Sequence, residues 1–181
     1  MIILVDLDNV LADFEKGFYQ EWVRRYPNRD VVPLEKRETF YIYEDYPEEF
    51  KKDVEEIYKS PSFVEELPAV PKSIESVKKM SSIGHEVFIC SSPFVSSLES
   101  FSEKVRWVEK HLGEGFVRRT ILTKDKTLIK GDILIDDNPN VEGFKNPEWS
   151  HFIFDRPYNR EIKSKERISW GDWEKTLKKF E

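Results

Sequence analysis

Cysteine occurs once in the 181 residues, methionine twice and glycine seven times. A lone thiol can neither close an intrachain disulfide nor build a thiolate metal cluster, which favours a reducing compartment. Neither Gly-x-x-x-x-Gly-Lys nor Gly-x-Gly-x-x-Gly occurs, so a phosphate cradle made of glycine backbone is not expected. No window reaches the about 18 uninterrupted apolar residues that a membrane span needs. The apolar run at the N-terminus, Ile2 to Val5, meets Asp6 at once and is too short for an export signal. Positive charge is also in deficit: 29 Lys and Arg against 35 Asp and Glu give a net charge of −6. That balance argues against a nucleic-acid polymer as partner and leaves a small anionic ligand open. The expectation is a cytoplasmic protein away from membranes.

Aromatic residues are plentiful, with 13 Phe, 7 Tyr and 5 Trp, and 39% of the chain is hydrophobic. Disorder and fibrous architecture are thereby excluded, and the length suits one domain, alone or with a small insertion. Ile2-Ile3-Leu4-Val5 has the continuous aliphatic character of a strand buried on both faces. From Leu11 to Tyr26, apolar residues recur at spacings of three or four through Phe14, Phe18 and Trp22, which predicts a helix. A helix carrying Ile74, Val77 and Met80 then precedes a strand at 86–90. Ser100 and Glu103 form a capping-box pattern for a helix with Val105, Val108 and Leu112 on its apolar face, ending at Gly113. Further strands are expected at 120–123, 133–135 and 151–154, the last followed by a helix from Trp170 to Phe180.

Alternating strands and helices predict an α/β fold with an open, Rossmann-like parallel sheet. The stretch 27–68 has no buried strand pattern, while Glu48 to Ser60 reads as helix. It is therefore expected to be a small helical cap inserted after the first strand-helix unit, leaving 1–26 and 69–181 as the core.

Ligands of such sheets bind beyond the carboxyl ends of the strands. Those ends deliver Asp6 and Asp8, Ser91 and Ser92, Lys126, and Asp136 and Asp137 to one edge. An acidic residue after one strand is usually a cap or a solvated turn. Two carboxylate pairs, a hydroxyl and a lysine at successive strand ends are much harder to obtain by chance. Carboxylates gathered this closely repel unless a hard cation joins them, which points to Mg²⁺.

The segments that carry this pattern are Asp6-Leu7-Asp8-Asn9-Val10-Leu11-Ala12-Asp13-Phe14, Phe88-Ile89-Cys90-Ser91-Ser92-Pro93, Leu122-Thr123-Lys124-Asp125-Lys126-Thr127 and Leu134-Ile135-Asp136-Asp137-Asn138-Pro139. They resemble the four motifs of the haloacid dehalogenase-like phosphohydrolases. Trp107-Val108-Glu109-Lys110 and Ser169-Trp170-Gly171-Asp172-Trp173 extend the similarity to the 5′(3′)-deoxyribonucleotidases within them. The resemblance implies an Mg²⁺-dependent phosphatase acting on nucleoside monophosphates, with pyrimidine 2′-deoxynucleotides as the expected substrates. It implies Asp6 as nucleophile, Asp8 as general acid and base, and Asp6, Asp136 and the Asp8 carbonyl as metal ligands. Ser91, Ser92 and Lys126 would hold the phosphate, and Asp137 would orient Lys126 or a metal-bound water. Phe14, Phe40, Tyr41, Ile42, Phe63 and Asn138 would border the nucleoside. Asn9, Tyr41, Ser91 and Asn138 stand where the animal enzymes carry glycine, tryptophan, threonine and arginine.

Three other readings compete. A phosphatase of another small phosphomonoester, such as a sugar phosphate, would share the acidic edge, and a non-catalytic nucleotide-binding regulator would share the fold. A phosphoacceptor receiver domain would place its acceptor aspartate on the third strand and have no helical insertion. Oligomeric state has no sequence signature here, and a homodimer is left open. His111 is read as a residue favourable to the helix dipole, His85 and His151 as turn and strand residues, and Cys90 as a buried inert thiol. Trp170 and Trp173 are read as packing the last helix onto the sheet.

Overall fold

The computed structural model describes residues 1–180. Six strands form one sheet in which every pairing is parallel: β1 (Ile2–Val5), β2 (Glu86–Ser91), β3 (Thr120–Leu122), β4 (Ile133–Asp136), β5 (Ser150–Phe154) and β6 (Glu166–Ile168). Their spatial order is β3-β2-β1-β4-β5-β6, so the most apolar strand lies inside the sheet. Register aligns Val5 with Ile89 on one side and with Ile135 on the other. Alternation along the strands divides the packing. Ile3, Val5, Val87, Ile89, Ile133 and Ile135 join the main core, whereas Leu4, Cys90 and Leu134 form a smaller cluster with Trp149.

The helices are α1 (Phe14–Arg25), α2 (Lys51–Tyr58), α3 (Ser73–Ser82), α4 (Glu99–Leu112), α5 (Glu114–Val117) and α6 (Trp173–Leu177). None is long and apolar enough to cross a membrane. Between α1 and α3 the chain holds only α2 and three short 3₁₀ turns, Leu34–Lys36, Ile42–Asp45 and Glu48–Phe50. The two ends of this insertion are stitched together: Asp13 N–H donates to the Pro68 carbonyl at 2.7 Å and Val70 N–H to the Leu11 carbonyl at 2.8 Å.

Three local expectations change. The strand at 151–154 is not the last, because Glu166–Ile168 adds an edge strand; only Ile168 of its three residues is buried, which leaves no apolar run to read. The final helix is confined to Trp173–Leu177, and Trp170 precedes it, buried and donating from Nε1 to the Val10 carbonyl at 2.7 Å. Finally, Ser100 and Glu103 form no capping box, since both lie inside α4. Glu103 instead accepts from the backbone N–H groups of Ser62 at 2.7 Å and Val64 at 3.0 Å, tying α4 to the return limb of the insertion.

Candidate active site

A cavity of about 570 Å³ opens beyond the carboxyl ends of β1, β2 and β4. Asp6 follows β1 directly and its N–H donates to the Ile135 carbonyl at 2.9 Å, so ladder geometry carries on into the site. Lys126 opens a 3₁₀ turn, Lys126–Leu128, that is held by Asp125, whose carboxylate accepts from Thr127 N–H at 2.9 Å. From there the Lys126 ammonium reaches Asp6 Oδ1 and Asp136 Oδ2, both at 2.6 Å. Burial works against its charge, but the attraction of Asp136 and Asp6 prevails and Lys126 is held more firmly protonated than usual.

The carboxylates move the other way. Burial pushes Asp136 up to about 6 against the pull of Lys126, and burial together with Asp136 and Asp6 drives Asp137 well above the usual carboxylate range. Asp6, Asp136 and Asp137 offer oxygens within 4.8 Å of one another. This hard, anionic, oxygen-only donor set fits a divalent cation, and Asp137 joins it beside Asp6 and Asp136, the two carboxylates that the sequence pointed to. Asp137 does not bond to Lys126; its Oδ2 accepts from the Tyr158 hydroxyl.

Asp8 stands apart from this cluster. Its Oδ2 accepts from Lys104 Nζ at 2.5 Å, while its buried Oδ1 has no protein partner. Burial raises its proton affinity, partly countered by Lys104. Lys104 is fully buried and also donates to Ser91 Oγ at 3.1 Å. Sequence reasoning missed it by assigning the apolar face of α4 to Val105, Val108 and Leu112. The buried face is Lys104, Trp107, Val108 and Leu112, and a lysine three and four residues before a buried Trp and Val was the available signal.

The other predicted residues divide. Ser92, Phe14, Phe40, Tyr41, Ile42 and Asn138 border the cavity. Ser91 lies under the floor, buried and held by Lys104, and Phe63 stands behind Phe14, edge-on at 5.2 Å between ring centroids. Tyr43, Tyr58 and Phe94 join the apolar wall unannounced by the sequence. His111 stacks on Trp107 at 4.3 Å, and burial lowers its pKa, so it is a packing imidazole and not a cation for the helix dipole.

A family model described as 5′ nucleotidase, deoxy (pyrimidine), cytosolic type C matches residues 1–180. The human cytosolic-type 5′(3′)-deoxyribonucleotidase is 40% identical over 185 residues, covering 97% of this chain and 92% of that protein. A Bordetella pertussis protein provisionally named for the same activity is 44% identical over 177 residues, covering 98% and 95%. Among solved structures, a haloacid dehalogenase family hydrolase from Deinococcus radiodurans with bound phosphate and sodium superposes with a TM-score of 0.62 at 13% identity, covering 98% of this chain and 95% of that one. A magnesium-bound hydrolase of the same fold from Bacillus subtilis gives a TM-score of 0.58 at 11% identity, with 97% of each chain covered.

Proposed function

This chain belongs to the 5′(3′)-deoxyribonucleotidase family of the haloacid dehalogenase-like phosphohydrolases, and from that premise we propose that it hydrolyses pyrimidine 2′-deoxyribonucleoside monophosphates. The observation that carries the reading is the two-ended cavity: lysine and carboxylates at the floor, and Phe14, Phe40, Tyr41 and Ile42 along the wall. A phosphate suits the first end and a nucleoside the second. A sugar phosphate would leave its hydroxyls facing that aromatic wall. In this reading residues 27–68 act as the cap.

In the first step the Asp6 carboxylate attacks phosphorus and the bond to the nucleoside oxygen breaks, leaving an aspartyl-phosphate. Asp8 gives the departing oxygen its proton from the carboxyl raised by burial. In the second step Asp8 takes a proton from water, which attacks phosphorus and releases phosphate and Asp6. The unpartnered Oδ1 suits this exchange, because the Lys104 contact fixes the other oxygen and leaves one free to carry the proton. Lys126 and the Ser92 N–H would hold phosphoryl oxygens. Asp6, Asp136 and the Asp8 carbonyl, with Asp137 as the third carboxylate of the cluster, would hold Mg²⁺, which when bound neutralises charge on the transferring group.

A 2′-hydroxyl against the apolar wall would be buried without a partner, at a cost of about 1–3 kcal/mol or roughly 5- to 150-fold in kcat/KM. Phosphate release from dUMP, dTMP, UMP, dGMP and a sugar phosphate, with and without Mg²⁺, tests the whole reading. We expect Mg²⁺-dependent turnover, dUMP above UMP and dTMP above dGMP. Equal rates for dUMP and UMP would remove the deoxy preference, equal rates for dTMP and dGMP the base preference, and preference for the sugar phosphate the nucleotidase assignment.

A further inference from the structure

Tyr158 comes from the loop after β5, and its hydroxyl meets the acidic cluster at Asp137. Its single proton is donated to Asp137 Oδ2, and its oxygen accepts from Asn9 Nδ2 at 3.1 Å. The other end of the Asn9 side chain, Oδ1, accepts from the Glu15 N–H in the first turn of α1 at 3.0 Å. The bonds therefore run in one direction, from the α1 backbone through Asn9 and Tyr158 to the acidic cluster, and each group on the way serves once as donor and once as acceptor. Asn9 is buried and adopts a left-handed backbone, φ 58°, directly after Asp8. Arg156 Nε donates to its carbonyl at 2.7 Å, and neighbouring Asn159 donates from Nδ2 to the Asp137 carbonyl at 2.9 Å. Both sides of the Asn9–Tyr158 bond are thus anchored.

We propose that Asn9 and Tyr158 form a positioning pair that sets the Asp137 carboxylate and the loop carrying Asp8 relative to one another. The proposal rests on the phosphatase reading above for its effect on turnover, but not for its effect on cation binding. With the hydroxyl in place, Oδ2 of Asp137 is held by Tyr158, and the carboxylate is fixed within the cluster that it forms with Asp6 and Asp136. Without it, the carboxylate can rotate and the cluster loses its order. Groups that orient metal-binding carboxylates in this way typically govern metal affinity by about 10- to 100-fold. The aromatic ring has a second neighbour in the wall, Phe40, edge-on at 6.0 Å, so removing the hydroxyl alone separates the two roles.

The test compares Tyr158→Phe, Asn9→Gly and the double variant. Glycine tolerates the left-handed backbone at position 9, so Asn9→Gly removes the amide without backbone strain. Calorimetric titration with Mg²⁺ alone should show affinity about tenfold or more weaker in Tyr158→Phe, several-fold weaker in Asn9→Gly, and no weaker in the double variant than in Tyr158→Phe. With dUMP at saturating Mg²⁺, kcat should fall while KM stays within about twofold, since the ring beside Phe40 is retained. Mg²⁺ affinity and kcat both within twofold of the parent in Tyr158→Phe, or losses that simply add in the double variant, would overturn the proposal. A fall in melting temperature with unchanged Mg²⁺ affinity would also overturn it, by showing a purely structural bond. Calorimetry needs no substrate, so a failed nucleotidase assignment shows as absent turnover beside intact Mg²⁺ titrations and stays distinguishable.

Discussion

Asp6, Ser91 and Asp136 stand at the ends of three neighbouring strands in fixed register, whereas Phe40, Tyr41 and Ile42 stand between α1 and α2, where the only order is three short 3₁₀ turns. The floor of the cavity is thus built by a sheet, and its wall by side chains leaning on one another: Tyr41 stacks on Tyr43 at 5.5 Å and Tyr58 on Phe94 at 5.5 Å. A ladder tolerates almost no displacement at its end. An aromatic wall can repack. Chemistry that fails when an oxygen moves by a fraction of an ångström belongs on the floor, and recognition of a flat, weakly polar group can be left to the wall.

The comparison breaks most sharply at Asp6, the proposed nucleophile. Asp6→Asn should lower kcat on the order of 10⁴- to 10⁶-fold, as removal of a nucleophile does elsewhere. Asp8→Asn should lose about 10²- to 10⁴-fold, the usual range for a general acid and base, and should still bind substrate. Phosphate release measures the first, and calorimetry of Asp8→Asn with dUMP the second. A folded Asp8→Asn protein that binds no substrate would reassign Asp8 from proton transfer to binding.

Lys104 comes next, because it couples floor stability to floor chemistry. Replacing it with Met keeps the volume but leaves Asp8 beside an uncompensated site. We expect a loss of about 3 kcal/mol, or roughly 6–12 °C in Tm, together with a fall in kcat. Thermal melts and kcat measured together settle it; unchanged kcat would reduce Lys104 to a packing residue.

On the wall the effect should be smaller and of another kind. Phe40→Ala should raise KM for dTMP about tenfold, within the range of about 1–3 kcal/mol for a lost base-aromatic contact, while kcat stays within about twofold. Steady-state kinetics reads this directly. A fall in kcat of similar size would mean that the wall also sets the floor.

The same contrast governs what was legible in the sequence. β1, β2, β3, β4 and β5 are visible as aliphatic runs, and their polar ends announce Asp6, Ser91 and Asp136 because a strand end points one way. The insertion yields only its helix, since Phe40 and Tyr41 have no period to mark which side they face. Lys104 and Tyr158 escape for a different reason. Their partners, Asp8 and Asp137, lie 96 and 21 residues away, and nothing local distinguishes them from a solvated lysine or a loop tyrosine. Asn9 is marked in the sequence only by standing where the animal enzymes carry glycine, and nothing local points to Tyr158.

The smallest effect is expected one residue from the floor. Cys90 precedes Ser91 on β2, but the alternation of the strand turns it into the minor cluster with Leu4, Leu134 and Trp149. Cys90→Ala should therefore cost about 1 kcal/mol, near 2–4 °C in Tm, from lost packing, with kcat unchanged. Burial pushes the thiol up to about 12, so in the folded protein it stays protonated and resists thiol reagents at neutral pH. The unfolded thiol ionises near pH 9. Stability linked to this raised value is therefore whole below pH 9 and declines as pH rises from 9 toward 12. The alanine variant has no such proton to lose, so the gap in Tm between the two proteins should narrow above pH 9. Melts of both proteins at pH 7, 9 and 10 check this. A gap that widens with pH, or a kcat that drops with the methyl side chain, would place Cys90 with the floor and not with the packing behind it.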